Sequence, residues 1–284
     1  MTRTFAQLPG FEVIHRIGKG AGAVIYSAQQ LASRRKVAIK HVVRHSPQDD
    51  RLLEQAENEC EVSRNLKHPY LRQCYDLIRV RRWLKTRELF LVMELVEGQR
   101  LDELYASDRP KNFVDVANLF VRVAEGLHAL HQAGYAHADI KPNNILIQPD
   151  GAPKIIDFGQ SCRLGHTKER IQGTPDYIAP EQVQLGPIDQ RTDVYNLGAT
   201  MYWLVTGLAF STILPFAPTG MKKIELEGRR ANSPPHELNS SVPVPLSRLI
   251  MECCENDKEA RPRDMNKLIT RLETVLHVLR TRRT

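Results

Sequence analysis

Cysteine is scarce in this sequence. The 284 residues hold five cysteines, an odd number, and Cys60, Cys74, Cys162, Cys253 and Cys254 form no CxxC pair. That excludes a disulfide-knotted secreted peptide and speaks against a zinc site; free thiols in a reducing, cytoplasmic compartment are expected. There is no internal repeat and no low-complexity run, and the composition excludes a collagen-like fibre or a disordered tail. Residues 1–10 lack the apolar core of a secretory signal. Charge-free runs are rare. Residues 197–217 make one of 21 residues, enough in length for a membrane span. Gly198, Gly207, Pro215 and several Ser/Thr interrupt it, so a buried core helix ending near Gly207 is the expected reading.

What remains is ordinary for a globular protein: 42% apolar and 26% charged residues, with 40 Lys+Arg against 33 Asp+Glu for a net +7. A chain of this length can bury a full core and suits roughly two domains. Its first ninety residues read as β-rich, with short strands in 11–17, 24–28, 36–40 and 89–94. Residues 49–67 read as one helix stopped before His68-Pro69. After Gly98 the apolar spacing turns helical in 112–134, 193–207, 244–255 and 263–279. Pro and Gly cluster in 215–245, read as a surface excursion.

Several clusters carry chemistry. Gly18, Gly20 and Gly22 follow the first strand, where backbone N–H groups could approach a polyphosphate; a mobile hairpin turn explains them as well. Lys40 ends an apolar strand, Val37-Ala-Ile-Lys40. An inward lysine there is costly unless it meets an anion, and a solvated edge lysine is the plain alternative. On the following helix Glu59 is the favoured partner by spacing, with Glu54, Glu57 and Glu61 in competition. His137-Ala-Asp-Ile-Lys-Pro-Asn-Asn144 is far more specific. Asp139, Lys141 and Asn144 fall within six residues of a proline-broken loop and suit phosphoryl transfer: an acid to take a hydroxyl proton, a cation for the moving phosphate, an amide oxygen for Mg²⁺. Asp157 then arrives on Lys154-Ile-Ile-Asp-Phe-Gly159, able to hold a hard cation. Gly173-Thr-Pro-Asp-Tyr-Ile-Ala-Pro-Glu181, Asp193 and Arg261 follow.

In this order the motifs resemble the catalytic domain of eukaryotic-type Ser/Thr protein kinases, including the bacterial branch, over roughly residues 11–275. The resemblance implies an α+β, bilobal fold: an N-terminal extension at 1–10, a small β-rich lobe with one main helix at 11–96, a larger helical lobe at 97–279 and a basic tail at 280–284. It implies ATP and Mg²⁺ as cofactors and a protein as substrate. The loop Gly18-Lys19-Gly20 with Gly22 would cover the phosphates; Ile17, Ile25 and Ala38 would roof the adenine and Leu146 floor it. Met93 would gate the back of the pocket, and Glu94 and Val96 would form the hinge. Lys40 would contact the α- and β-phosphates and pair with Glu59. Asp139 would be the catalytic base, assisted by Lys141 and Thr174; Asn144 and Asp157 would hold Mg²⁺. Glu181–Arg261 and Asp193 would be structural.

Four departures qualify the resemblance. Ala138 stands where most members carry an arginine that receives the activation-loop phosphate, so switching by phosphorylation is in doubt. Ala23 replaces a usual glycine and Gly22 a usual aromatic, predicting a looser loop tip and weak ATP binding. Ser63 occupies a helix position usually apolar, which keeps open a nucleotide-binding scaffold with little turnover and an inactive resting pose. Asp157 to Glu181 spans only 25 residues, a short activation segment. A small-molecule phosphotransferase is a third reading, opposed by Lys141, Thr174 and Ala179-Pro-Glu181. Outside the motifs, residues 79–87 pack five positive charges into nine residues, and Arg280, Arg282 and Arg283 end the chain. A solvated hairpin is the plain reading of 79–87, an acidic protein partner the functional one; no nucleic acid is expected. His128 and His131 read as structural, and Cys162 as an inert thiol.

Overall fold

Alternation of side chains on strands builds the first third of the chain. The computed structural model describes residues 8–20, 22–82, 85–212 and 232–281. It divides into two compact units. One runs to Glu97 and takes in Ile156–Gly159; the other comprises Gly98–Ile155 and the chain from Gln160 onward.

The first unit is an antiparallel sheet of β1 (Phe11–Gly20), β2 (Ala23–Gln30), β3 (Lys36–Val43), β4 (Cys74–Arg82) and β5 (Lys85–Glu94), in the order β1-β2-β3-β5-β4. One face carries Ala28, Val37, Ile39, Phe90 and Val92, packed with Leu8. The other carries Ala38, Leu91 and Met93 with Ile25, and Ala23, Val42 and Leu89, under helix α1 (Asp50–Arg64) through its Leu53, Ala56 and Cys60. Both faces of β5 are covered, which is why its sequence is a continuous apolar run rather than an alternating one. Two boundaries differ from the sequence reading. The helix expected over 49–67 ends at Arg64, where Asn65 takes the C-cap, so the chain leaves the helix well before Pro69. Strand β4 has no counterpart among the expected strands, because its outer half, Arg79–Arg82, is charged and exposed. Residues 79–82 and 85–87 are the facing ends of β4 and β5; Trp83 and Leu84 lie outside the described residues. Arg79 pairs there with Glu57 at 2.8 Å.

The second unit holds β6 (Gln99–Arg100), α2 (Leu101–Leu104), α3 (Phe113–Gln132), β7 (Tyr135–Ala136), β8 (Ile145–Ile147), β9 (Pro153–Ile155), β10 (Cys162–Arg163), α4 (Pro180–Val183), α5 (Gln190–Thr206), α6 (Pro235–Leu238), α7 (Val244–Cys253) and α8 (Met265–Thr281). With the five-stranded sheet of the first unit, this is an α+β fold. Helix α5 decides the charge-free run. Thirteen of its 17 residues are buried, so its later part is charge-free because protein, not lipid, surrounds it. Asp189 caps its start by accepting from the Arg191 N–H at 2.8 Å. Gly207 ends it in the left-handed conformation, φ 80°, which glycine adopts without a Cβ penalty. At Gly198 a Cβ would lie 2.6 Å from the Cys253 Cβ, so α5 and α7 touch at a distance only glycine permits. Among the described residues no helix is long and apolar enough to cross a membrane; residues 213–217 of the run lie outside them. So does much of the excursion expected at 215–245, whose later part forms α6 and the start of α7. In the basic tail, Arg282 and Arg283 likewise lie outside.

Candidate active site

In the first unit, period-2 geometry places Ile25, Ala38, Lys40, Leu91 and Met93 on the sheet face toward α1. Lys40 donates to Glu59 Oε2 at 2.7 Å. Of the four candidate acids, Glu59 is the buried one, 1% exposed; Glu57 turns outward to Arg79. Burial alone would lower the Lys40 ammonium, but the carboxylates of Glu59 and Asp157 hold it above its ordinary value. The other oxygen of Glu59 accepts from Arg72, so one buried carboxylate sits between two cations. Arg72 is absent from the sequence reading; its loop position before β4 carries no motif. Asn58, one residue before Glu59, donates to the carbonyls of Phe158 and Gly159, both at 3.3 Å. Asp157 accepts the Gly159 N–H at 2.9 Å.

Two of the departures pack well. Ser63 is buried and donates back to the Glu59 carbonyl at 2.6 Å, so its hydroxyl is satisfied within the helix. Ala23 joins the core cluster under α1, and the β1–β2 ladder closes as far as Gly20–Ala23. Between them, Ala21 lies outside the described residues. The remaining nucleotide candidates of this unit, Ile17, Gly18, Lys19, Gly20, Gly22, Glu94 and Val96, lie on β1, at the β1–β2 turn, and at and just past the end of β5. Ile17 is 46% exposed, and Glu94 accepts the Gln73 N–H at 3.2 Å.

In the second unit, His137–Asn144 leaves β7 and ends in a single 3-10 turn, Pro142–Asn144. Asp139 is the hub. Its Oδ2 accepts from the Lys141 ammonium at 2.8 Å and its Oδ1 from the Thr174 hydroxyl at 3.0 Å. Lys141 also donates to Thr174 Oγ1 at 2.6 Å. Asn144 donates its Nδ2 to the Asp139 carbonyl at 2.9 Å, which turns its amide oxygen, the atom a hard cation takes, the other way. Leu146 is half-buried on β8.

Behind this loop stands Asp193, fully buried on α5. It accepts the N–H groups of His137 and Ala138 and the His131 ring Nε2, each at 2.7 Å. Burial pushes its carboxyl up, yet the hydrogen bond and charge of His131, with the His137 contribution, hold it below the ordinary value. His131 therefore has a structural partner. Glu181 meets Arg261 through two bonds of 2.8 and 3.0 Å and accepts the Thr192 hydroxyl at 2.9 Å. Cys162 is pushed up to about 11 by burial, as an inert thiol should be.

Ala138 has φ 59° and no exposure. Its carbonyl is held by Gln182, which donates Nε2 at 2.8 Å and to the Gln172 carbonyl at 3.3 Å. The Gln182 Oε1 accepts from the Ala179 N–H at 2.9 Å and from Asn196 at 3.0 Å. One buried amide thus ties the His137–Asn144 loop to the segment before α4 and to α5. The sequence reading missed it; a glutamine beside Pro180-Glu181 carries no signal until the chain is folded. Gln182→Ala strands these partners, at a cost of about 2 kcal/mol. The expected midpoint of thermal unfolding falls by about 4–8 °C, measurable by calorimetry.

Comparison with known proteins agrees with this architecture. Residues 11–271 match the family described as Protein kinase domain. A probable serine/threonine-protein kinase of Clostridium acetobutylicum is 28% identical over 270 residues, covering 93% of this chain and 40% of that protein. Serine/threonine-protein kinase PrkC of Bacillus subtilis is 29% identical over 253 residues, 87% of this chain and 37% of that protein. Probable serine/threonine-protein kinase PknB of Corynebacterium glutamicum is 33% identical over 221 residues, 75% and 34% respectively. The chain thus spans well under half the length of these relatives.

Proposed function

The chain belongs to the protein kinase family, and on that premise we propose that it transfers the γ-phosphoryl group of ATP to Ser/Thr hydroxyls of a protein substrate. The observation that carries this reading is the closed Asp139–Lys141–Thr174 arrangement. Asp139 takes the proton of the incoming hydroxyl. Lys141 neutralises charge on the phosphoryl group in flight, and Thr174 orients both. Lys40, held by Glu59, steadies the α- and β-phosphates. Catalysis of this kind is mainly positioning and electrostatic stabilisation. Asn144 and Asp157 would hold Mg²⁺; their amide and carboxylate oxygens are the hard donors that ion takes. When bound, Mg²⁺ neutralises phosphate charge. Ile17, Gly18, Lys19, Gly20, Gly22, Ile25, Ala38, Met93, Glu94, Val96 and Leu146 are proposed to hold the nucleotide.

A cytoplasmic setting and an acidic protein partner at residues 79–87 are also proposed; Arg79, Arg81, Arg82 and Lys85 are exposed there. The alternative, a nucleotide-binding scaffold with little turnover, rests on Ser63 and Ala23; both are packed, Ser63 by its bond to the Glu59 carbonyl and Ala23 in the core under α1. Mass spectrometry of the chain after incubation with Mg²⁺, ATP and a basic carrier protein tests the reading. Phosphoserine or phosphothreonine is expected; nucleotide binding without any phosphate transfer would establish the scaffold instead.

Activity is expected to be largely independent of a phosphate in residues 160–174. Ala138 offers no guanidinium to receive one, and Ser161 is buried. Gln182 and the Lys168 ammonium, which donates to the Gln160 carbonyl at 2.7 Å, already tie the segment. The double variant Ser161→Ala, Thr167→Ala should keep activity within about tenfold of the parent, a barrier change under about 1.4 kcal/mol. A larger loss in a steady-state assay would show that the segment needs its phosphate.

A further inference from the structure

We propose that Cys60 and Cys74 form a peroxide-responsive thiol pair that closes to an intramolecular disulfide and fastens α1 to β4. The two sulfurs lie 2.9 Å apart, with the Cys74 thiol donating to Cys60. A disulfide needs about 2.05 Å, so the sulfurs have under about 1 Å to travel. The residues are 14 apart in sequence and sit on different elements, one on the helix and one at the first position of the strand. Those elements are already joined next door: Glu59, the residue before Cys60, binds Arg72, two residues before Cys74. A covalent tie beside that ion pair therefore asks for little rearrangement.

The pair is chemically unequal. The hydrogen bond from Cys74 holds the Cys60 thiol below its ordinary range against the effect of burial, with smaller help from Arg64 and Arg79. Cys74 is pushed up. Cys60 is thus the attacking sulfur and Cys74 the resolving one. In the first step the Cys60 thiolate attacks hydrogen peroxide, the O–O bond breaks, hydroxide leaves and a sulfenic acid forms. In the second, the Cys74 sulfur attacks the sulfenic sulfur, its proton passes to the departing oxygen, and water leaves as the S–S bond forms. The two sulfurs lose two electrons in all, and peroxide takes them to become water. Both residues are buried, 4% and 1% exposed, so peroxide, barely larger than water, enters through local opening of α1 from β4. Cys162, Cys253 and Cys254 serve as internal controls: burial raises all three thiols.

No step uses nucleotide, so the inference stands or falls apart from the kinase reading. The reduced chain is treated with hydrogen peroxide, its remaining thiols are blocked under denaturing conditions, and the digest is read by non-reducing mass spectrometry. A peptide linking Cys60 to Cys74, lighter by two hydrogens and released by dithiothreitol, is expected, with the other three cysteines blocked as free thiols. The oxidised chain should melt about 5 °C higher, as closing a short loop predicts. In Cys74→Ser, where no resolving thiol is present, a dimedone adduct should appear on Cys60. Recovery of both cysteines as free thiols, or linkage of either to a third cysteine in comparable yield, overturns the proposal. So does a Cys74→Ser chain that is folded by circular dichroism and forms no adduct at Cys60.

Discussion

Asp139→Asn is expected to lower the phosphotransfer rate by roughly 10²–10⁴, the usual worth of a positioned general base, or about 3–5 kcal/mol of barrier. The reason is local. Both carboxylate oxygens of Asp139 accept, one from Lys141 and one from Thr174. Asparagine keeps one acceptor and sets an amide N–H₂ against the Lys141 ammonium, two donors facing each other. The carboxylate disappears and the neighbouring cation loses its seat, while the distant core is untouched. Nucleotide affinity, measured by calorimetric titration with Mg-ATP, should stay within a few-fold. Asp157→Ala should cost at least as much in rate through failure to hold Mg²⁺, whereas Lys40→Met should reduce turnover more than nucleotide binding. A folded Asp139→Asn chain that phosphorylates at the parent rate would remove Asp139 from the role of base.

The second large effect is on stability. Asp193→Ala should destabilise the second unit by about 3–5 kcal/mol, because three donors aimed at a fully buried carboxylate lose their acceptor at once. Thermal unfolding should begin about 10 °C lower. Asp193→Asn is gentler in volume but still faces the donors of His131 and His137 with an N–H₂ group. Should neither variant fold, the pH dependence of the parent chain tests the same point. Asp193 is held below its ordinary value in the fold, so the unfolded chain binds the proton more readily. Its contribution is fully present above the unfolded value of about 3.9 and drains away as the pH falls toward the lower folded value. Urea titrations from pH 6 downward should show stability falling most steeply below about pH 4. A flat profile through that range would mean that the carboxylate is not held as the geometry indicates.

The motif residues were legible because their chemistry is local. Asp139, Lys141 and Asn144 share six positions, and a glycine-broken strand with an inward lysine reads the same way in any fold that handles phosphate. The β-rich first third and the long helices were legible from periodicity, since one buried face imposes its period on the sequence. Strand β4 was not, because its exposed outer half carries charges that no core selects. The choice of Glu59 over Glu54, Glu57 and Glu61 lay partly beyond the sequence: four acids on one helix differ only in which side of α1 faces the sheet. Arg72, Gln182, and the partnership of His131 with Asp193 were wholly beyond it. Each acts through a partner between 13 and 62 residues away, and side-chain hydrogen bonds over such separations leave no period and no spacing rule. By itself the sequence determined the family and the succession of a β-rich part and a helical part, and it singled out the candidate chemistry-bearing residues. Tertiary structure alone decided which buried polar groups hold those residues still, because only packing brings a donor and an acceptor from distant segments within 3 Å of each other and shuts water out.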